Sequence, residues 1–189
     1  PPTLDCSECQ KFAGRAQRAA YIEAITPSYI HKNLGAAYYW NREGRGRLDE
    51  DLKGWFTSER CGELSRVHML YVHGEASTGK SVGVMYHAAI NHLSRKVDGL
   101  FYACEDSLIN HNAERYADSR DIKERALSYF SKCSTTPLLI VDDLGSRANY
   151  RPAQVEMYAR ALGERLRLGK ATIVIGRRPP VDGSPFSWI

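Results

Sequence analysis

Gly74-Glu75-Ala76-Ser77-Thr78-Gly79-Lys80-Ser81 fits the pattern G-x-x-x-x-G-K-[ST], and each fixed position answers a physical need. The glycines let the chain curl its N–H groups into a concave nest for an anion. Lys80 adds a mobile positive charge suited to the β- and γ-phosphates of a nucleotide, and the Ser81 hydroxyl suits Mg²⁺. A helix starting at this point aims the positive end of its dipole at the same phosphates. At ordinary residue frequencies the fixed positions coincide by accident in roughly one chain in a hundred of this length, so the flanking sequence has to decide.

The flanks have the required order. Val67-His68-Met69-Leu70-Tyr71-Val72 is a short, apolar, β-rich run that reads as a buried strand. From Ser81 to Lys96, Val84, Met85, Ala88 and Leu93 recur at helical spacing. Strand, glycine loop and helix is the local structure of a Walker A phosphate-binding loop, with Gly74, Glu75, Ala76, Ser77, Thr78, Gly79, Lys80 and Ser81 as the nucleotide-binding segment.

Such a loop needs a carboxylate to hold the metal. Leu138-Leu139-Ile140-Val141-Asp142-Asp143 offers four aliphatic residues and then two acids, the pattern of a fully buried parallel strand ending at the ligand-binding edge of a sheet. Asp142 is the expected Mg²⁺ partner with Ser81, and Asp143 the group that orients or deprotonates an attacking water. That second role usually falls to glutamate. Aspartate is one methylene shorter, which predicts slow hydrolysis.

Bulk properties set the frame. The chain has 189 residues, 43% hydrophobic and 25% charged, as in an ordinary globule with one good core. No apolar run is long enough to span a bilayer, and no signal-peptide pattern opens the chain, so a cytoplasmic location without membrane partners is expected. A net charge of +4 permits a nucleic-acid partner without demanding one. Cys6, Cys9, Cys61, Cys104 and Cys133 are scattered, and a P-loop enzyme is normally intracellular, so disulfides are not expected. Cys6 and Cys9 form a single C-x-x-C pair, half of a zinc site; free thiols are the alternative. The histidines show no metal-ligand spacing.

Along the chain, Phe12–Ala24 is helix-compatible and Pro27 closes it. Leu48–Trp55 reads as a short helix, Leu100–Ala103 as a strand, and Ser107–Tyr116 and Asp121–Ser131 as helices. Ala153–Leu168 is a long amphipathic helix stopped by Gly169, and Thr172–Ile175 is a further strand. Strands alternating with helices imply an α/β fold with a parallel sheet covered on both faces. Tyr38-Tyr39-Trp40 followed by Arg42, Arg45 and Arg47 offers stacking faces and phosphate contacts for single-stranded DNA, or else a core cluster and a solvated loop.

Taken together, these segments resemble the DnaC/IstB group of AAA+ ATPases, which contains bacterial and phage replicative-helicase loaders and the ATPase subunits of some transposons. Tyr71–Ser81 resembles its Walker A segment and Pro137–Gly145 (PLLIVDDLG) its Walker B. Gly163-Glu164-Arg165 with Gly169 and Thr172-Ile173-Val174 resembles the helix and strand that follow. Ala24–Ile30 loosely resembles the I-P-x-x-Y entry segment, and the C-x-x-C pair the end of a zinc-binding region found before some loaders.

The resemblance implies a P-loop NTPase of AAA+ type. A helical tail with the half zinc site would occupy residues 1–24, and the nucleotide-binding αβα domain residues 25–189. It further implies ATP and Mg²⁺ as cofactors, a homo-oligomer, a hexameric replicative helicase or a transposase as partner, and single-stranded DNA as ligand. Arg147, Tyr150 and Arg151 would face a central channel if the protein forms a ring. The family's second sensor, arginine finger and lid lie beyond the equivalent of Ile189, so the lid subdomain is expected to be missing from this chain. One motif departs from the group. The fourth strand usually ends in Thr/Ser-Asn before Arg-Pro, the Asn sensing the γ-phosphate, whereas Ile175-Gly176-Arg177-Arg178-Pro179 places Arg177 there. An arginine can touch phosphate but cannot accept a hydrogen bond from water. Asp143, Lys80 and Arg177 are the expected catalytic residues, and a non-hydrolysing, ATP-switched DNA- or protein-binding module is the competing reading. A small-molecule kinase would need an acceptor pocket and lid that no segment supplies.

Overall fold

The computed structural model describes residues 7–28, 30, 46–57, 69–94, 97–145 and 150–178. Cys6, Tyr38-Tyr39-Trp40, Arg42, Arg45, Cys61 and Arg147 lie outside the described residues, as do the side chains of Cys9 and Arg47. The chain runs α1 (Ser7–Ile25), α2 (Gly46–Thr57), β1 (Met69–His73), α3 (Lys80–Leu93), β2 (Leu100–Cys104), α4 (Glu105–Glu114), α5 (Arg120–Thr135), β3 (Leu138–Leu144), α6 (Pro152–Arg167) and β4 (Ala171–Gly176).

The four strands form one parallel sheet in the order β1-β4-β3-β2. Alternation along each strand divides the core in two. Leu100, Tyr102, Leu138, Ile140, Ile173 and Ile175 face a cluster with Ile22 of α1, Leu52 and Phe56 of α2, and Val84, Met85 and Ala88 of α3. Ala103, Leu139, Val141 and Val174 face the opposite way, onto Leu108 of α4, Cys133 of α5, and Met157, Tyr158 and Leu162 of α6. Leu100, Leu138, Ile140 and Ile173 are wholly buried, each worth about 1.5–3 kcal/mol over an exposed side chain.

The helix edges differ from the sequence expectation in ways that trace to local chemistry. α4 starts at Glu105 rather than Ser107, with Glu105 and Asp106 in its first turn, where acids suit the helix dipole. α5 continues to Thr135, past Ser131, and the Thr135 and Thr136 hydroxyls donate to carbonyls four residues back, at 2.8 and 2.7 Å. α6 begins at Pro152, whose missing N–H is no loss in a first turn, and Gln154 reaches back to accept the Arg151 N–H at 2.9 Å.

A wholly buried arginine ties the second layer to the sheet. Arg165 of α6 donates from Nε to the Thr172 hydroxyl at 2.8 Å and from Nη1 to the Cys133 and Thr136 carbonyls at 2.7 Å each. Its Nη2 serves the Pro137 carbonyl at 3.2 Å and the Ala171 carbonyl at 2.5 Å. One planar fork thus joins the end of α5 to the starts of β3 and β4. Burial holds its pKa down at about 10.

Candidate functional site

The phosphate loop is shaped by its own backbone. Gly79, at φ 87°, is the residue before α3 and turns the chain through the left-handed region, where a Cβ is strained. Ser77 also takes a positive φ, 60°. α3 therefore starts at Lys80, and its N-terminus opens on the cavity at the ends of β3 and β4. That cavity measures about 460 Å³. Its walls include Ala76, Ser77, Gly79, Lys80 and Ser81 from the loop, Asp142 and Asp143 from β3, and Arg177 from the end of β4. Gly74, Glu75 and Thr78 do not line it. They form the shoulder behind, where Lys80 Nζ donates to the Gly74 and Glu75 carbonyls at 2.7 and 2.6 Å.

Asp142 is the fixed point of the cavity. Only 3% of it is exposed. Its Oδ1 accepts the Ser81 hydroxyl at 3.0 Å and the Asp143 N–H at 2.8 Å, and its Oδ2 accepts the Tyr102 hydroxyl at 2.5 Å. Hydroxyl and carboxylate oxygens brought together in this way are hard donors and match the demands of Mg²⁺.

Asp143 is placed by a bulge. The two acids do not follow the strand, as the sequence suggested; β3 continues through both to Leu144. Val141 pairs with Val174 and Leu144 with Gly176, so Asp142 and Asp143 together oppose Ile175 alone. Regular alternation would turn Asp143 into the apolar cluster beneath β3. The bulge, with Asp143 at φ 63°, gives that buried position to Leu144 and sends Asp143 into the cavity. There its Oδ1 lies 3.8 Å from Arg177 Nε, both side chains more than half exposed.

Charge in the cavity is mixed. Burial pulls the Lys80 pKa below its usual value against the opposing pull of Asp142 and Asp143. Burial and then the neighbouring Asp142 raise that of Asp143, while Arg177 works the other way.

The expected site residues Lys80, Ser81, Asp142, Asp143 and Arg177 thus converge on one cavity. Tyr150, expected to face a channel, turns inward: its hydroxyl donates to Glu105 at 2.6 Å, and Arg151 is exposed at the start of α6. Sequence reasoning missed Tyr102, which reads as one more strand aromatic, and Glu105, which is 1% exposed and also accepts from Tyr158 and the Gly145 N–H at 3.4 Å each. An acid directly after an apolar strand run, as in Ala103-Cys104-Glu105, was the signal for the latter. Among the described residues no group of His, Cys, Asp and Glu is arranged to hold a metal by itself.

No protein-family model matches this sequence, and no curated protein matches it. Solved structures do. AMPPCP-bound DnaA from Aquifex aeolicus superposes with a TM-score of 0.57 at 16% identity, covering 73% of this chain and 40% of DnaA. DnaI gives 0.57 at 18% identity, over 74% of this chain and 69% of its own. The DnaC helicase loader gives 0.51 at 19% identity, over 71% and 70%. The chain therefore spans about two fifths of the matched DnaA. At these identities the likeness is one of fold: the parallel four-stranded sheet with helices on both faces is the P-loop AAA+ fold of these proteins.

Proposed function

We propose that this chain is an ATP- and Mg²⁺-binding AAA+ module that loads or remodels a hexameric replicative DNA helicase on single-stranded DNA. The observation that carries the nucleotide reading is the 3.0 Å bond from Ser81 Oγ to Asp142 Oδ1 at the mouth of the phosphate loop. It joins the two predicted metal-facing groups across 61 residues of sequence. Residues 74–81 would hold the phosphates, and Ser81 and Asp142 the Mg²⁺, which when bound would neutralise charge developing on the phosphates.

The residues divide the remaining work. Lys80, now turned back onto the Gly74 and Glu75 carbonyls, exchanges those neutral acceptors for phosphate oxygens. Asp143 orients a water or takes its proton, and Arg177 binds phosphate from the β4 side. An arginine from a neighbouring protomer would complete the site, which implies a homo-oligomer. The helicase and DNA partners draw support from the fold shared with the loaders DnaI and DnaC and with DnaA, whose structures include one bound to AMPPCP and single-stranded DNA. A helical tail over residues 1–24 and a nucleotide-binding domain over 25–189 complete the proposal, with action in the cytoplasm. Among the described residues no helix is long and apolar enough to cross a membrane. A transposition ATPase shares the fold argument, and recovery of a transposase instead of a helicase in a pull-down would select it.

A second reading is favoured by Arg177, 3.8 Å from Asp143 in the cavity. Arg177 stands where the group's γ-phosphate-sensing Asn is expected and cannot accept a hydrogen bond from the attacking water, so ATP would act as a switch without turnover. Steady-state ATP hydrolysis with and without single-stranded DNA, beside Lys80→Ala and Asp143→Asn, separates the two. Turnover that DNA changes and both variants abolish supports the loader. ATP binding with no turnover supports the switch, and no ATP binding by the native chain removes both.

A further inference from the structure

We propose that Tyr102 is a positioning residue for the metal-facing carboxylate, acting through Asp142; this rests on the reading of the cavity as a Mg²⁺–nucleotide site. Tyr102 lies in β2 opposite Ile140, and Cys104 lies opposite Asp142. Tyr102 and Asp142 are therefore one step apart along the same face of adjacent strands, a diagonal that a long side chain can span. The ring is 9% exposed and packs in the cluster under α3. A phenylalanine would fill that space as well, so the ring alone does not account for a tyrosine.

The hydroxyl explains it. It donates to Asp142 Oδ2 at 2.5 Å, a short bond of the charge-assisted kind. Ser81 and the Asp143 N–H both occupy Oδ1, from the opposite side of the carboxylate. The χ2 bond of aspartate is a broad torsion, and the Tyr102 hydroxyl on Oδ2 restrains it together with the Ser81 and Asp143 contacts on Oδ1. Tyr102 adds to that restraint, so Oδ1 stays directed at Ser81 and the phosphate loop. The residue touches neither nucleotide nor metal. Its effect is confined to the affinity that Mg²⁺ adds to nucleotide binding, because the loop's N–H groups and Lys80 hold phosphate independently of it.

The test is equilibrium binding of a fluorescent ATP analogue to the whole chain, in Mg²⁺ and in EDTA. Native protein, Tyr102→Phe, Asp142→Asn and the double variant are compared. Tyr102→Phe is expected to keep its affinity in EDTA within about twofold and to lose roughly tenfold of the gain that Mg²⁺ gives. In the Asp142→Asn background the same change should alter the gain by less than about twofold, because the carboxylate it acts through is gone. An unchanged gain in Tyr102→Phe, or an equal fall with and without Mg²⁺, overturns the inference. So does a full effect in the Asp142→Asn background. Failure of the native protein to bind the analogue in either condition overturns the nucleotide reading itself.

Discussion

The Tyr71 hydroxyl crosses the face of Gly176 to donate to the Arg178 carbonyl at 2.9 Å, so a side chain of the edge strand clamps the backbone on either side of Arg177. A Cβ at Gly176 would collide with that hydroxyl and crowd the Leu144 carbonyl at 3.0 Å. Gly176→Ala is expected to lower stability by about 1–3 kcal/mol in urea unfolding. Tyr71→Phe in the same chain should recover part of the loss, since it removes the nearest atom. Strictly additive losses in the two variants would contradict the clamp.

Arg165 should be among the least replaceable residues outside the cavity. Arg165→Met takes the donor from the carbonyls of Cys133, Thr136, Pro137 and Ala171 around a wholly buried side chain. A loss of about 3 kcal/mol or more is expected in denaturant unfolding. Arg165→Lys keeps the charge without the planar fork and should restore less than half of it. A lysine variant that unfolds at the native midpoint would rule out the fork as the reason.

Glu105 organises the chain behind the second acid. It accepts from Tyr150 at 2.6 Å and from the Gly145 N–H at 3.4 Å, at the two ends of the connection between β3 and α6. Glu105→Ala is expected to cost about 2 kcal/mol, with Glu105→Gln milder because its amide oxygen can still accept. Hydrogen exchange at the Gly145 amide should quicken in the alanine variant; unchanged exchange there would leave the acid no part in holding this connection.

The acid–base balance of Asp143 gives a signed pH effect. Its carboxyl titrates above the ordinary 3.8, through burial and then through Asp142, so ionisation is harder folded than unfolded. Stability therefore falls as pH rises from below the unfolded value through the folded one, and the penalty is complete at neutral pH. Asp143→Asn should melt no lower than the native chain at pH 7, and any advantage should vanish below pH 4. Exposure of the side chain keeps the effect small. A variant that loses stability only at neutral pH would reverse the sign and refute it.

The fold was legible where periodicity is strong. The buried run Leu138–Val141 and the glycine loop announce β3, the phosphate nest and the start of α3, and the structure puts all three where the motifs require. Lys80, Ser81, Asp142 and Asp143 were also readable, because each belongs to a spacing with a chemical reason; Arg177 came from the family resemblance alone, and the structure lines one cavity with all five. Tyr102 and Arg165 were not. A tyrosine in a strand is as good for packing as for hydrogen bonding, and only the pairing of β2 with β3 puts its hydroxyl on Asp142. Arg165 sits on an amphipathic helix where arginine is ordinary. Its burial depends on three carbonyls of the Cys133–Pro137 stretch, about thirty residues back, meeting that of Ala171, and no local pattern encodes that.

The extra residue in β3 makes the second acid a matter of counting as well as chemistry. Two residues there face one on β4, so deleting either Asp142 or Asp143 would restore an unbroken ladder and leave a fully paired sheet. The remaining aspartate would then stand in the row of Ile140, where Asp142 stands now, while the cavity would lose the second carboxylate that faces Arg177. A replacement scan that tries every amino acid at each place preserves the tally and passes over this dependence. A scan that shortens the chain one residue at a time would find it at once, as well-folded protein with half of its acidic pair.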